Sequence, residues 1–184
     1  MTKTGLRNNI VTRQSCMNDA SDIAKIHYQC WQTNYIDIID HTFLNSLKLE
    51  DRIKNREKII REDPCIQLVT LYENKVVGFC DAGSFYFREN QTVAIHDSAK
   101  FKEPGEIYAI YIDPKYQNNG IGQILFSEAR RQLFQKGLAP FIVWTLKDNS
   151  IAYKFYEKLN GKIIGDMNVN FGGREYGQIA FKFD

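Results

Sequence analysis

The chain has 184 residues, with 24 Lys and Arg against 22 Asp and Glu and a formal charge of +2. That balance gives no global field suited to nucleic acid or an anionic membrane, and the length suits a single domain, 1–184, with a sizeable core. Its apolar runs are too short to span a membrane and its N-terminus is too polar for a signal peptide, so a soluble cytoplasmic protein is expected.

In chain order, residues 1–9 read as a loose leader and Ile10–Gln14 as a first strand. Asn18, Asp19 and Ser21 supply capping groups for a helix whose Ile23, Ile26, His27 and Cys30 recur at helical spacing. A charged helix over Leu49–Arg61 stops at Asp63-Pro64. Ile66–Tyr72 and Val76–Phe87 read as a hairpin across Glu73-Asn74-Lys75, and Arg88–Gly105 as a polar loop. The four cysteines and three histidines form no ligand pattern, so free thiols are expected, with neither a metal nor a disulfide framework.

The most informative stretch is Glu106–Gln135. Ile107, Tyr108, Ile110, Tyr111 and Ile112 have the composition of a strand with a buried face, and Asp113-Pro114 ends it. Ile121, Ile124, Leu125, Ala129 and Leu133 then recur as the apolar face of a helix. Between the two lies Gln117-Asn118-Asn119-Gly120-Ile121-Gly122. Open amides at a helix N-terminus attract anions, and glycines let a phosphate approach the backbone. The same glycines also suit an ordinary strand–helix turn. A Walker loop is excluded because Gln123 and Ile124 follow Gly122, and the dinucleotide fingerprint because Leu125 stands where a small residue is required.

Downstream, Phe141–Leu146 reads as a strand, and Asn149 or Ser150 caps a short helix that ends at Asn160-Gly161. Lys162–Val169 and Tyr176–Phe183 form a final hairpin across Gly172-Gly173.

The loop Gln117–Gly122 resembles the Gln/Arg-x-x-Gly-x-Gly/Ala signature of the GNAT superfamily of acetyl-CoA-dependent N-acetyltransferases at every fixed position. Tyr111-Ile112-Asp113-Pro114 is similar to the family's strand end, and Asn149, Ala152 and Phe155-Tyr156 to a second family block. The likeness is strong over the C-terminal half and rests on element order over the N-terminal half. It implies an α/β fold: a mixed, mostly antiparallel sheet of six or seven strands, about four flanking helices, and a splayed central strand pair.

The resemblance also implies a site. Backbone of Ile110, Tyr111 and Ile112 would pair with the pantetheine arm of acetyl-CoA. Residues 117–122 (Gln117, Asn118, Asn119, Gly120, Ile121, Gly122) would hold the pyrophosphate. Asn149 would bond the pantetheine, and the helix carrying Ala152 and Phe155 would wall off the thioester. Lys115, Arg131 and Lys158 are candidates for the 3′-phosphate. Tyr156 stands where many family members carry their general acid, and Glu106 where the histone-acetyltransferase branch carries its base. A carboxylate in a partly dehydrated cleft is more basic than in water, which suits that task.

On the acceptor side, Tyr108 would share the strand face of Glu106. Trp31, Tyr35, Phe43 and Phe171 would form an aromatic wall, with Asp37 or Asp40 attracting a cationic amine. The expected reaction is direct acetyl transfer to a small amine or peptide, by a monomer or homodimer without nucleic-acid or membrane partners. The alternative is a catalytically silent acyl-CoA-binding module.

Overall fold

Alternating or continuous apolar runs in the chain become strands, and the computed structural model arranges those of the described residues in one eight-stranded sheet. It describes residues 9–85, 93–95 and 105–184, so residues 1–8 of the expected leader lie outside the described residues. The strands are β1 (Ile10–Gln14), β2 (Ile66–Tyr72), β3 (Lys75–Ser84), β4 (Val93–Ile95), β5 (Gly105–Ile112), β6 (Phe141–Leu146), β7 (Lys162–Phe171) and β8 (Arg174–Phe183), in the sheet order β1-β2-β3-β5-β6-β8-β7-β4. Among the described residues, five α-helices accompany them: α1 (Ala20–Asn34), α2 (His41–Ser46), α3 (Leu49–Glu62), α4 (Ile121–Gln135) and α5 (Ser150–Lys158).

Two elements exceed the sequence expectation. Val93–Ile95, inside the expected loop, pairs antiparallel with β7 and adds the eighth strand; the rest of residues 88–104 lies outside the described residues. Helix α2 starts because the Asp40 carboxylate accepts from the amides of Thr42 and Phe43, so a cap rather than an apolar stripe defines it.

Both sheet faces are covered. On one, Leu68, Cys80, Ala82 and Ile107 pack against Leu125, Phe126, Ala129 and Tyr156 of α4 and α5. On the other, Val69, Val76 and Phe79 pack against Ile23, Ile26 and Cys30 of α1. Beneath α3 on this second face, Arg56 donates twice to Asp81 of β3, at 2.8 and 2.7 Å, with its guanidinium over the Phe79 ring. Both partners are buried. Asp81→Ala therefore leaves a buried cation unpaired and is expected to cost about 3–5 kcal/mol. Urea denaturation checks this. The paired replacement Arg56→Met with Asp81→Leu should recover most of the loss, because both desolvated charges are then gone.

Strand β5 carries the features that build the site. Its pairing with β3 slips between Asp81 and Ala82, which oppose Ala109 and Ile107, so Tyr108 is the extra residue of a bulge. Its pairing with β6 is parallel and ends early, covering only Gly105–Ile107 against Phe141–Val143. Beyond that point the two central strands part, as a splayed pair requires.

Candidate active site

The gap between β5 and β6 is a cavity of about 700 Å³ that runs out to the α4 N-terminus and along α5. Backbone alternation sets what faces it. Asp113 N–H bonds Val77 O on β3, while Gly105 N–H turns the other way to Leu138 O and Pro140 O. Between them, with the bulge absorbing one residue, the N–H and C=O of Ile110 and Ile112 point into the gap. The Ile112 carbonyl is already engaged by Gln117 Nε2 at 3.0 Å and the Cys30 thiol at 3.2 Å. Tyr111 contributes its ring to the α1 face, stacked on Phe79, and its backbone to the β3 edge. It therefore does not offer the gap the backbone pairing expected of residues 110–112.

At the far end, Asn118 (φ 61°) and Gly120 (φ 80°) adopt left-handed conformations that turn the chain sharply into α4. Among the described residues no side chain caps α4, which leaves its first-turn amides open to an anion. Gln117, Asn118, Gly120 and Gly122 line the cavity. Asn119 and Ile121 do not: the Asn119 amide folds back on Tyr116 O and Gln117 O, and Ile121 is buried in the core.

A Cβ on Gly122 would point at Phe155, 3.4 Å away, and at Ile112, 3.8 Å away, both of which line the same cavity. Gly122 is helical, so a side chain fits its backbone, whereas one at Gly120 would be strained by the positive φ. Gly122→Val is thus expected to fold and to weaken coenzyme A binding at least about tenfold, by overpacking of the kind that costs 1–3 kcal/mol in cores. Calorimetry checks affinity and thermal unfolding checks the fold.

On the α5 side, Asn149 caps the helix by accepting from Ala152 N–H at 3.1 Å, and both residues line the cavity. Tyr156 lines it too, although only 5% exposed, and its ring packs among Phe126, Phe155, Phe181 and Phe183. Burial, then the proximity of Cys80 and Tyr111, raises the pKa of its phenol, so it is held as a neutral donor. Of the basic candidates, Lys158 lines the cavity together with Lys154, which the sequence reading missed. Arg131 is paired with Glu128 on the outer face of α4, and Lys115 is not on the lining.

The acceptor side departs further from expectation. Glu106 is 1% exposed and does not line the cavity; it sits where β5 and β6 are still paired. Strand alternation puts it on the α1 face, opposite Ile107 and Tyr156. Tyr108 lines the cavity and donates its hydroxyl to Ser84 O across Gly83. Tyr35 lines the cavity, and burial followed by its interaction with Tyr111 raises its pKa.

Trp31 lies one layer behind, its ring against Tyr35, Phe43 and Phe171. Asp40 is unavailable to an amine, because it caps α2 and pairs with Arg174 at 2.9 Å. Asp37 is an exposed residue on a separate surface groove. Residues 86–92 and 96–104, between β3 and β5, lie outside the described residues.

The sequence model of the Acetyltransferase (GNAT) family matches residues 22–161. The chain belongs to this family. Among GNAT relatives, the uncharacterised N-acetyltransferase YuaI of Bacillus subtilis is 27% identical over 170 residues, covering 89% of this chain and 87% of the relative. The spermidine N(1)-acetyltransferase of Thermoplasma acidophilum is 21% identical over 154 residues, covering 84% and 89%. The structure of yncA, a putative acetyltransferase from Salmonella typhimurium with its cofactor acetyl-CoA, superposes with a TM-score of 0.69 at 15% identity, covering 96% of this chain and 94% of that one. In this chain the central strands part and a Gly-containing turn leads into the following helix. Among the described residues, no helix is long and apolar enough to cross a membrane and no cluster could hold a metal ion.

Proposed function

We propose that the enzyme transfers the acetyl group of acetyl-CoA to a primary amine of a small molecule or peptide, by direct attack within a ternary complex. The observation that carries this reading is the splay of β5 from β6 into a cavity that ends on uncapped helix amides. That shape suits a long thioester with an anionic end. The α4 amides and Gln117–Gly122 turn would take the pyrophosphate, the gap-facing backbone of Ile110 and Ile112 the pantetheine amides, and Lys154 and Lys158 the outer phosphate.

The chemistry follows from the two faces of the sheet. The amine nitrogen uses its lone pair to attack the thioester carbon, forming the C–N bond and placing charge on the carbonyl oxygen. A gap-facing N–H of β5 stabilises that oxyanion. Collapse breaks the C–S bond, the buried Tyr156 hydroxyl protonates the departing thiolate, and the surplus proton of the new amide nitrogen passes through water to restore the phenol. An ammonium has no lone pair and an alkylamine has a pKa of about 10, so a proton must first be removed. Glu106, on the α1 face, is the proposed base; being off the lining, it acts through water.

A screen of primary amines with acetyl-CoA, read by release of free thiol, tests the reading. Turnover with any amine supports it. Coenzyme A binding without thiol release across the panel would favour a binding module.

A further inference from the structure

Arg52, in the first turn of α3, lacks the counter-charge that its setting calls for. Its guanidinium lies over the Trp31 ring at 4.9 Å, and its Nε is buried with no hydrogen-bond partner. Among the described residues it pairs with no carboxylate. Its one polar contact is Nη1 to His27 Nδ1 at 2.9 Å, yet Trp31 Nε1–H donates to the other nitrogen of the same ring at 3.0 Å. Burial, then Arg52 and Arg56, lowers the His27 pKa to about 3, so the ring is neutral. A neutral imidazole offers one lone pair, and two donors compete for it. Nη2 bonds no described residue, which leaves that edge of the fork to an outside partner.

The position of this cation matters as much as its isolation. Arg56, one turn further along α3, reaches Asp81 opposite the Tyr108 bulge, so α3 lies on the same sheet face as Glu106. Trp31, on which Arg52 stacks, backs Tyr35 of the cavity wall, and Arg52 also acts electrostatically on Tyr111 of that wall. A half-buried guanidinium stacked on an aromatic ring is weakly hydrated and presents a planar fork suited to a carboxylate.

Resting on the acetyl-transfer reading above, we infer that the acceptor is an amine that also carries a carboxylate, an amino acid or amino-acid-like compound, and that Arg52 binds that carboxylate through its open Nη2 edge. Tyr35, which lines the cavity in front of Trp31, favours an acceptor with an apolar side chain. Such an acceptor supplies the counter-charge that Arg52 lacks among the described residues. A polyamine would bring more positive charge to an uncompensated arginine.

The test uses matched probes on the full chain with coenzyme A bound: L-methionine, L-phenylalanine and L-leucine, each against its α-carboxamide, with spermidine as the cationic probe. Calorimetry is expected to show each acid bound about ten- to a hundredfold more tightly than its amide, the range of a charge-assisted hydrogen bond. Arg52→Gln should erase that preference by weakening the acid alone, leaving amide and acetyl-CoA affinities within about twofold. Arg52→Lys should restore part of it, since the charge returns without the planar fork.

Equal binding of acid and amide, binding of none of the acids, or a preference for spermidine would overturn the inference, and none of these comparisons needs a variant. If the enzyme acetylates spermidine or neutral amines only, the carboxylate inference falls while acetyl transfer stands. If the acids bind in an Arg52-dependent way and no amine releases thiol, the inference stands and the transferase reading falls.

Discussion

Tyr156→Phe should lower turnover by about 100- to 10,000-fold, the usual contribution of a general acid or base, and leave acetyl-CoA affinity nearly unchanged. Only the hydroxyl is removed, and the ring keeps its packing against Phe126, Phe155, Phe181 and Phe183. Stability should therefore hold, which thermal unfolding verifies. Because the buried phenol titrates above its usual range, the acid form persists through neutral and mildly basic pH, and no limb of the rate profile there should report its ionisation. Steady-state rates with a good and a poor thiol leaving group sharpen the comparison. The variant should lose most with the more basic thiolate, which needs the proton more. Near wild-type turnover would return Tyr156 to a packing role.

Glu106→Gln is expected to reduce kcat/KM by a factor in the same range of about 100 to 10,000 near neutral pH, and to recover in part at high pH. The amide keeps the size of the carboxylate but cannot take a proton. At high pH more of the amine is already deprotonated, so the missing base matters less. Glu106 lies at the paired end of β5, far from the Gln117–Gly122 turn, so coenzyme A affinity should hardly change. A loss that is uniform across pH would instead point to a structural role for a side chain that is 1% exposed. Solvent-isotope effects on kcat/KM should shrink in the variant if a water carries the proton.

Features set by neighbouring residues were legible in the sequence. The turn at Gly120 needs a left-handed residue before a helix, and a cap for α5 is expected at Asn149 or Ser150, of which the structure uses Asn149 through a bond three residues on. The final hairpin and the β2–β3 turn at Glu73-Asn74 are local in the same way.

What the sequence concealed depends on partners far along the chain. The bulge at Tyr108 appears only when β5 meets β3, and it shifts which later residues face which side. The burial of Glu106 and the second-layer place of Trp31 are set by packing against elements many residues away. Asp40 looks like a free carboxylate until its amide and Arg174 partners are seen. Arg52 sits in a charge-dense helix that reads as half exposed, and no periodicity marks it as the cation over Trp31.

The central claim is that the β5–β6 gap brings acetyl-CoA and an amine together for direct transfer. Initial rates of thiol release, measured over a matrix of acetyl-CoA and acceptor concentrations and paired with mass spectrometry of product and enzyme, test it most directly. The account predicts intersecting double-reciprocal lines, an acetylated amine formed in step with free thiol, and no acetylated enzyme when the amine is left out. Parallel lines with an acetyl group on the protein, or coenzyme A binding with no acetylated amine from any acceptor, would contradict it.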